Sequence, residues 1–186
     1  MFIQTETTPN PDSLKFIPGQ TVLVDGVMSF QKGEDISKSP LASRLLGIEG
    51  IETVFLASNF ITLTKSPDRD WIHLKPSVLA TIMEHFIAGL PILNKELEQS
   101  EAGHLSPDLT DPVIRQIIEI IDTRVRPAVA QDGGDISFDR FIEGVVYVKM
   151  QGACAGCPSS TATLKAGIEN MLRYYVPEVI EVRPTA

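Results

Sequence analysis

The chain has 186 residues, 43% of them apolar and 22% charged, and a net charge of −8. That composition suits a globular protein of one medium domain or two small ones. With no block of lysine and arginine it argues against a general grip on nucleic acid or anionic membranes, and no apolar run approaches the ~18 residues of a membrane span.

Residues 2–7 alternate apolar and polar side chains, as a half-buried strand does. Thr8-Pro9-Asn10-Pro11-Asp12 is a turn cluster, followed by a short strand at 14–17 and another expected at Thr21–Val24, before Asp25-Gly26. Ser39-Pro40 places an N-cap before a proline at the first helical position, and the helix carries Leu41, Leu45 and Leu46 as far as Gly47. Residues 51–57 and 60–64 read as a hairpin around Ser58-Asn59. Pro76 is expected to open a second helix, with Val78, Leu79, Ile82, Met83, Phe86 and Ile87 at helical spacing. Residues 1–93 thus read as a small α+β domain of order roughly βββαββα.

Charge then separates the two halves. Residues 94–112 hold five acids against one base, with Gly103 and Pro107 as breakers, and 94–109 is the expected acidic linker. The rest, 110–186, reads as a second α+β domain of order αββαβ. Asp111-Pro112 is again an N-cap and proline, and Ile114, Ile117, Ile118, Ile121 and Val125 recur at helical spacing. Pro127 marks a kink or an end, and Asp132-Gly133-Gly134-Asp135 a turn whose glycines supply positive φ. Strands at 136–142 and 145–151 flank Glu143-Gly144, a two-residue hairpin signal. Pro158 starts a helix carrying Leu164, Ile168, Met171 and Leu172, and 179–182 is the expected last strand.

The two cysteines of the chain, Cys154 and Cys157, lie between that second strand and that helix. Three residues apart, both sulfurs reach one soft metal or one cluster edge. Pro158 sets Cys157 at the helix entrance, where unpaired N–H groups and the positive dipole end favour thiolate. Gly152, Ala153, Ala155 and Gly156 leave room for a bulky group. A cluster or zinc held by cysteine alone needs four thiolates, and one chain offers two. His73, His85 and His104 show no spacing that would complete the set, so a second copy of the chain is the simplest completion. The motif leaves a dithiol oxidoreductase and a structural zinc site open as rivals. Ser159, Ser160 and Thr161 read as first-turn caps, and the Asp132/Asp135 pair as part of a turn, not as a metal site.

The run from Arg126 to Val182 resembles the C-terminal domain of NifU and Nfu proteins, most closely at 132–135, at Gly152 through Leu164 and at 176–179. The opening MFIQTETTPNPDSLKFIPG resembles the N-terminal domain of the mitochondrial and alphaproteobacterial type of Nfu protein. The resemblance implies an iron–sulfur cluster scaffold or carrier, not an enzyme. It would hold a [4Fe–4S] cluster on Cys154 and Cys157 of two subunits. Apo iron–sulfur proteins would receive the cluster and upstream assembly proteins would supply it, while the N-terminal domain would contact partners. With Glu6 early and no arginine before Arg44, the N-terminus reads as neither signal nor transit peptide. The expected compartment is a bacterial cytoplasm, or the mitochondrial matrix if a presequence is missing.

Overall fold

The structure, a computed structural model, describes residues 2–94, 111–155 and 158–185, with 158–164 described in backbone only. They form two compact units, one within 1–103 and one within 104–186. Apart from Asn94, the expected linker at 94–109 lies outside the described residues.

The first unit runs β1 (Gln4–Thr7), β2 (Ser13–Ile17), β3 (Met28–Gln31), α1 (Pro40–Leu46), β4 (Ile51–Leu56), β5 (Ile61–Lys65) and α2 (Trp71–Ile87). Its five strands lie in the order β1-β2-β5-β4-β3, each antiparallel to its neighbours. Phe16, Val54, Leu56, Ile61 and Leu63 of the sheet bury with Leu41 and Leu45 of α1 and Val78 and Ile82 of α2. Removing this apolar surface from water is the main term holding the unit together. Ser39 caps α1 as expected, accepting from Ala42 N at 3.1 Å.

The α+β class holds, and two placements in this unit are corrected. Residues 21–24 are not a strand. Val22 and Leu23 are buried, and their N–H groups donate to Ser58 O (2.8 Å) and Ala57 O (3.2 Å). Val24, however, is 97% exposed, and Gly26 at φ +70° turns the chain away, so the ladder resumes only at Met28. Nor does Pro76 open α2. Asp70 does, its carboxylate accepting from Ile72 N at 3.1 Å, and Pro76 sits inside the helix. There it forfeits one backbone bond, which the burial of Leu74, Val78 and Ile82 outweighs.

His85, fully buried near the end of α2, shares a hydrogen bond at 3.1 Å between Nε2 and Pro91 O. Ser39 Oγ donates to Ile92 O at 2.6 Å and Asn94 N to Lys38 O at 3.0 Å, so 91–94 is strapped beside the start of α1. Among the described residues, Nδ1 of His85 is buried and meets no hydrogen-bond partner. Burial pushes the imidazole below its ordinary value of 6.5, and Arg44 opposes protonation too. A folded pKa below the unfolded one means that the unfolded chain takes up the proton first. Stability contributed by the neutral ring is therefore full above 6.5 and declines as pH falls through that value. Denaturant midpoints of the first unit are expected to drop between about pH 7.5 and 5.5, with a smaller drop in His85→Gln. Equal slopes in the two proteins would contradict the assignment.

The second unit runs α3 (Pro112–Ile120), a π turn (Ile121–Val125), α4 (Arg126–Gln131), β6 (Gly134–Ile142), β7 (Val145–Gly152), α5 (Pro158–Tyr175) and β8 (Glu181–Thr185). Asp111 caps α3 by accepting from Val113 N at 2.8 Å. Pro127 brings a change of winding, not an end. Its ring cannot donate, and just before it the helix widens so that Arg126 N donates to Ile121 O. The sheet order is β6-β7-β8, with β6 and β7 antiparallel and β7 and β8 parallel across the α5 crossover. Glu143 (φ +49°) and Gly144 (φ +81°) form the expected hairpin, both in the left-handed region that a two-residue turn of this kind requires. The last strand begins at Glu181, later than expected, because Val179 and Ile180 still belong to the turn, Ile180 N donating to Gly144 O at 2.7 Å. Ile117, Ile121, Val125 and Val129 on the helical arm pack with Ile136, Val146, Val148 and Val182 of the sheet and Ile168, Leu172 and Val176. No described helix is long and apolar enough to cross a membrane.

Candidate functional site

The β6–β7 ribbon sets Gly134, the first residue of one strand, opposite Gly152, the last of the other. Gly152 takes φ +67°, and beyond it Ala153 N donates to Gly133 O at 3.1 Å and Ala155 N to Gly152 O at 3.1 Å. This tight turn folds Cys154 back over the start of β6. The side chain is 5% exposed and joins the apolar cluster of the unit.

The two glycines of the 132–135 turn do different work. Gly133 supplies the positive φ (+80°) expected of a helix-to-strand turn. Gly134 does not; it supplies space. A Cβ there would lie 2.7 Å from Cys154 Sγ and 2.8 Å from the carbonyl oxygen of Gln151. The thiol therefore rests directly on the backbone of residue 134, a close approach that only glycine allows.

Asp135, next along β6, is 7% exposed and takes both prongs of Arg126, Nε to Oδ1 at 2.8 Å and Nη2 to Oδ2 at 3.1 Å. Arg126 Nη1 also donates to Asp122 Oδ1 at 3.3 Å. The hydrogen bond that Arg126 donates to Asp135 is the main reason the guanidinium pKa is raised above its ordinary value. This bidentate pair clamps the junction of the π turn and α4 onto the strand that carries Gly134. Both carboxylate oxygens of Asp135 are thus engaged by Arg126. Among the described residues no group of three or more His, Cys, Asp or Glu is placed to hold a metal ion.

Of the two candidate ligands, the structure describes Cys154. Cys157 and Gly156 lie outside the described residues, as do the side chains of Ser159, Ser160 and Thr161 and all of His104. Helix α5 begins at Pro158, the residue after Cys157 in the chain. Sequence reasoning missed Gly134 as the seat of the thiol and Arg126–Asp135 as its brace. Only an acid beside paired glycines and an arginine before a proline hinted at them. Chemically, the loop offers a soft sulfur donor with small neighbours at a strand-to-helix junction.

Residues 3–89 match the family described as scaffold protein Nfu/NifU N terminal, and residues 117–183 match the NifU-like domain. A human relative described as "NFU1 iron-sulfur cluster scaffold homolog, mitochondrial" is 49% identical over 96% of this chain and 70% of its own length. A relative of the same description from Drosophila persimilis is 49% identical over 98% of this chain, which spans 64% of that protein. Among solved structures, a NifU-like protein from Saccharomyces cerevisiae aligns over 51% of this chain and 86% of its own, with TM-score 0.47 and 24% identity. Two family matches, one in each compact unit, together with half-identity along nearly the whole chain, place this protein in the Nfu/NifU family.

Proposed function

We propose that the protein is an iron–sulfur cluster scaffold and carrier, not a catalyst, and that Cys154 and Cys157 of two copies hold a [4Fe–4S] cluster as cargo. The observation that carries this reading is the seat of Cys154. A glycine-backed thiol lies in a turn of small residues, three positions from a second cysteine that directly precedes a helix. Two sulfurs per chain are half of a four-thiolate set, and a two-fold pair of chains completes it. A cluster held at a shared surface leaves when an acceptor supplies competing thiolates, which suits delivery to apo iron–sulfur proteins after loading by upstream assembly proteins. The description of the relatives as iron–sulfur cluster scaffold homologs supports the same cargo. A mitochondrial compartment, as the description of those relatives has it, or a bacterial cytoplasm suits such reduced thiols. Dithiol exchange is the weaker reading: the loop does open the parallel β7–α5–β8 crossover, but the strand before it comes from a β6–β7 hairpin and no aromatic residue sits beside the cysteines in the sequence.

Anaerobic reconstitution with iron and sulfide tests the proposal. The expected product is brown, dimeric by mass, and holds about four irons per two chains. A colourless protein that reduces disulfides without iron, or one that takes only zinc, would overturn it.

A further inference from the structure

The face of the β6–β7–β8 sheet that looks away from the core carries a cationic depression. Val146, Val148 and Val182 are buried in the core, so alternation sends Tyr147, Lys149 and Arg183 to the opposite face. The strand register lines Arg140, Tyr147 and Arg183 across the sheet, and Lys149 beside Thr185. A bulge between Phe138 and Arg140 adds Asp139 to the same patch. Together these side chains line an open depression of about 530 Å³.

Its charges do not balance. Asp139 serves both Arg140 (3.3 Å) and Lys149 (4.0 Å), and Glu181 serves both Arg183 (2.8 Å) and Lys165 (3.2 Å). The lining itself holds three cations, Arg140, Lys149 and Arg183, against one carboxylate, Asp139, a surplus of two positive charges on a chain whose net charge is −8. Arg183 first, then Lys165, hold the Glu181 carboxyl down at about 2, so Glu181 stays ionised across the physiological range. The Arg140 guanidinium lies 4.6 Å over the Tyr147 ring, a cation–π contact that holds it over the sheet.

We propose that this face docks an acidic, extended segment of a partner protein, with its carboxylates taken by Arg140, Lys149 and Arg183. Neighbouring strands are about 4.8 Å apart, so Arg140 and Arg183 sit about 10 Å apart across the sheet. Alternate acids on an extended segment are about 7 Å apart, a spacing that this triangle of cations accepts. Pro184 denies the β8 edge one ladder donor, so side chains and not an added strand carry the recognition. A surplus of two charges matches a pair of carboxylates. It does not match a duplex, which bears a charge about every 1.7 Å and is repelled by the rest of this chain. The proposal concerns the apo-protein and does not depend on the cluster.

The test is fluorescence anisotropy with the full apo chain and a labelled twelve-residue peptide of alternating Glu and Thr. Binding should weaken by about tenfold in Arg140→Glu/Arg183→Glu, and by less in the neutral Arg140→Gln/Lys149→Gln pair, which removes charge without reversing it. Arg115→Glu, which lowers the charge by two as the neutral pair does but at an exposed site of α3, should bind the peptide almost as well as the parent. Binding should also fall as salt rises past about 0.15 M. The proposal is overturned if the parent protein does not bind the peptide at low salt. It is also overturned if the double reversal, folded by circular dichroism, binds like the parent, or if a twenty-residue oligothymidylate binds this face more tightly than the peptide.

Discussion

Replacing Cys154 by Ala is expected to leave a folded protein that retains no stable cluster after reconstitution. The argument is stoichiometric. A cubane cluster takes four thiolates, and a symmetric pair of chains supplies four only if both Cys154 and Cys157 contribute from each. One substitution per chain therefore removes two of the four ligands at once. The change is mild for the fold. Cys154 acts as a small buried apolar side chain in the second unit, and trimming it to Ala costs about 1 kcal/mol. Iron content and visible absorbance should thus vanish while the denaturant midpoint moves little. Cys157→Ala should behave alike in cluster content. Either variant holding the iron and absorbance of the parent would refute the ligand assignment.

Legibility in the sequence followed how local each signal was. Ser39-Pro40 and Asp111-Pro112 announce helix starts because cap and proline act within one turn, and both caps are found. Glu143-Gly144 likewise sets its hairpin from two residues. Thr21–Val24 has strand composition, but the strand is decided by whether a neighbour continues the ladder. Beside Val22 and Leu23 the partner offers only Ser58 O and Ala57 O. Pro76 suggested a start because proline favours the first turn; Asp70, six residues earlier, outcompetes it by capping. At the site, the cysteine spacing and the helix entrance are local and were readable. The role of Gly134 was not, because it depends on a thiol twenty residues later folding back across the ribbon. The Arg126–Asp135 pair is hidden for the same reason, since its geometry exists only once the π turn has set the arm against β6.

Gly134→Ala should separate the seat of the thiol from the stability of the fold. The added methyl would sit 2.7 Å from Cys154 Sγ and 2.8 Å from the Gln151 carbonyl oxygen. The sulfur can swing away, but the carbonyl belongs to the paired strand and cannot, so the ribbon end and the cysteine turn must shift together. Overpacking of this kind costs roughly 1–3 kcal/mol. A displaced Cys154 spoils a ligand set that tolerates little misplacement, so cluster loss to a chelator should quicken by about tenfold or more. Gly144→Ala provides the contrast. It forces a side chain into φ +81° and against Ile180, at a comparable stability cost, but at the far end of the same ribbon. Its holo-protein should melt earlier and yet release iron at the rate of the parent. If the two variants lose cluster equally fast, retention tracks global stability and Gly134 has no special hold on the thiol. If only Gly134→Ala does so, the backbone beneath Cys154 is part of the binding site, although it contributes no ligand atom.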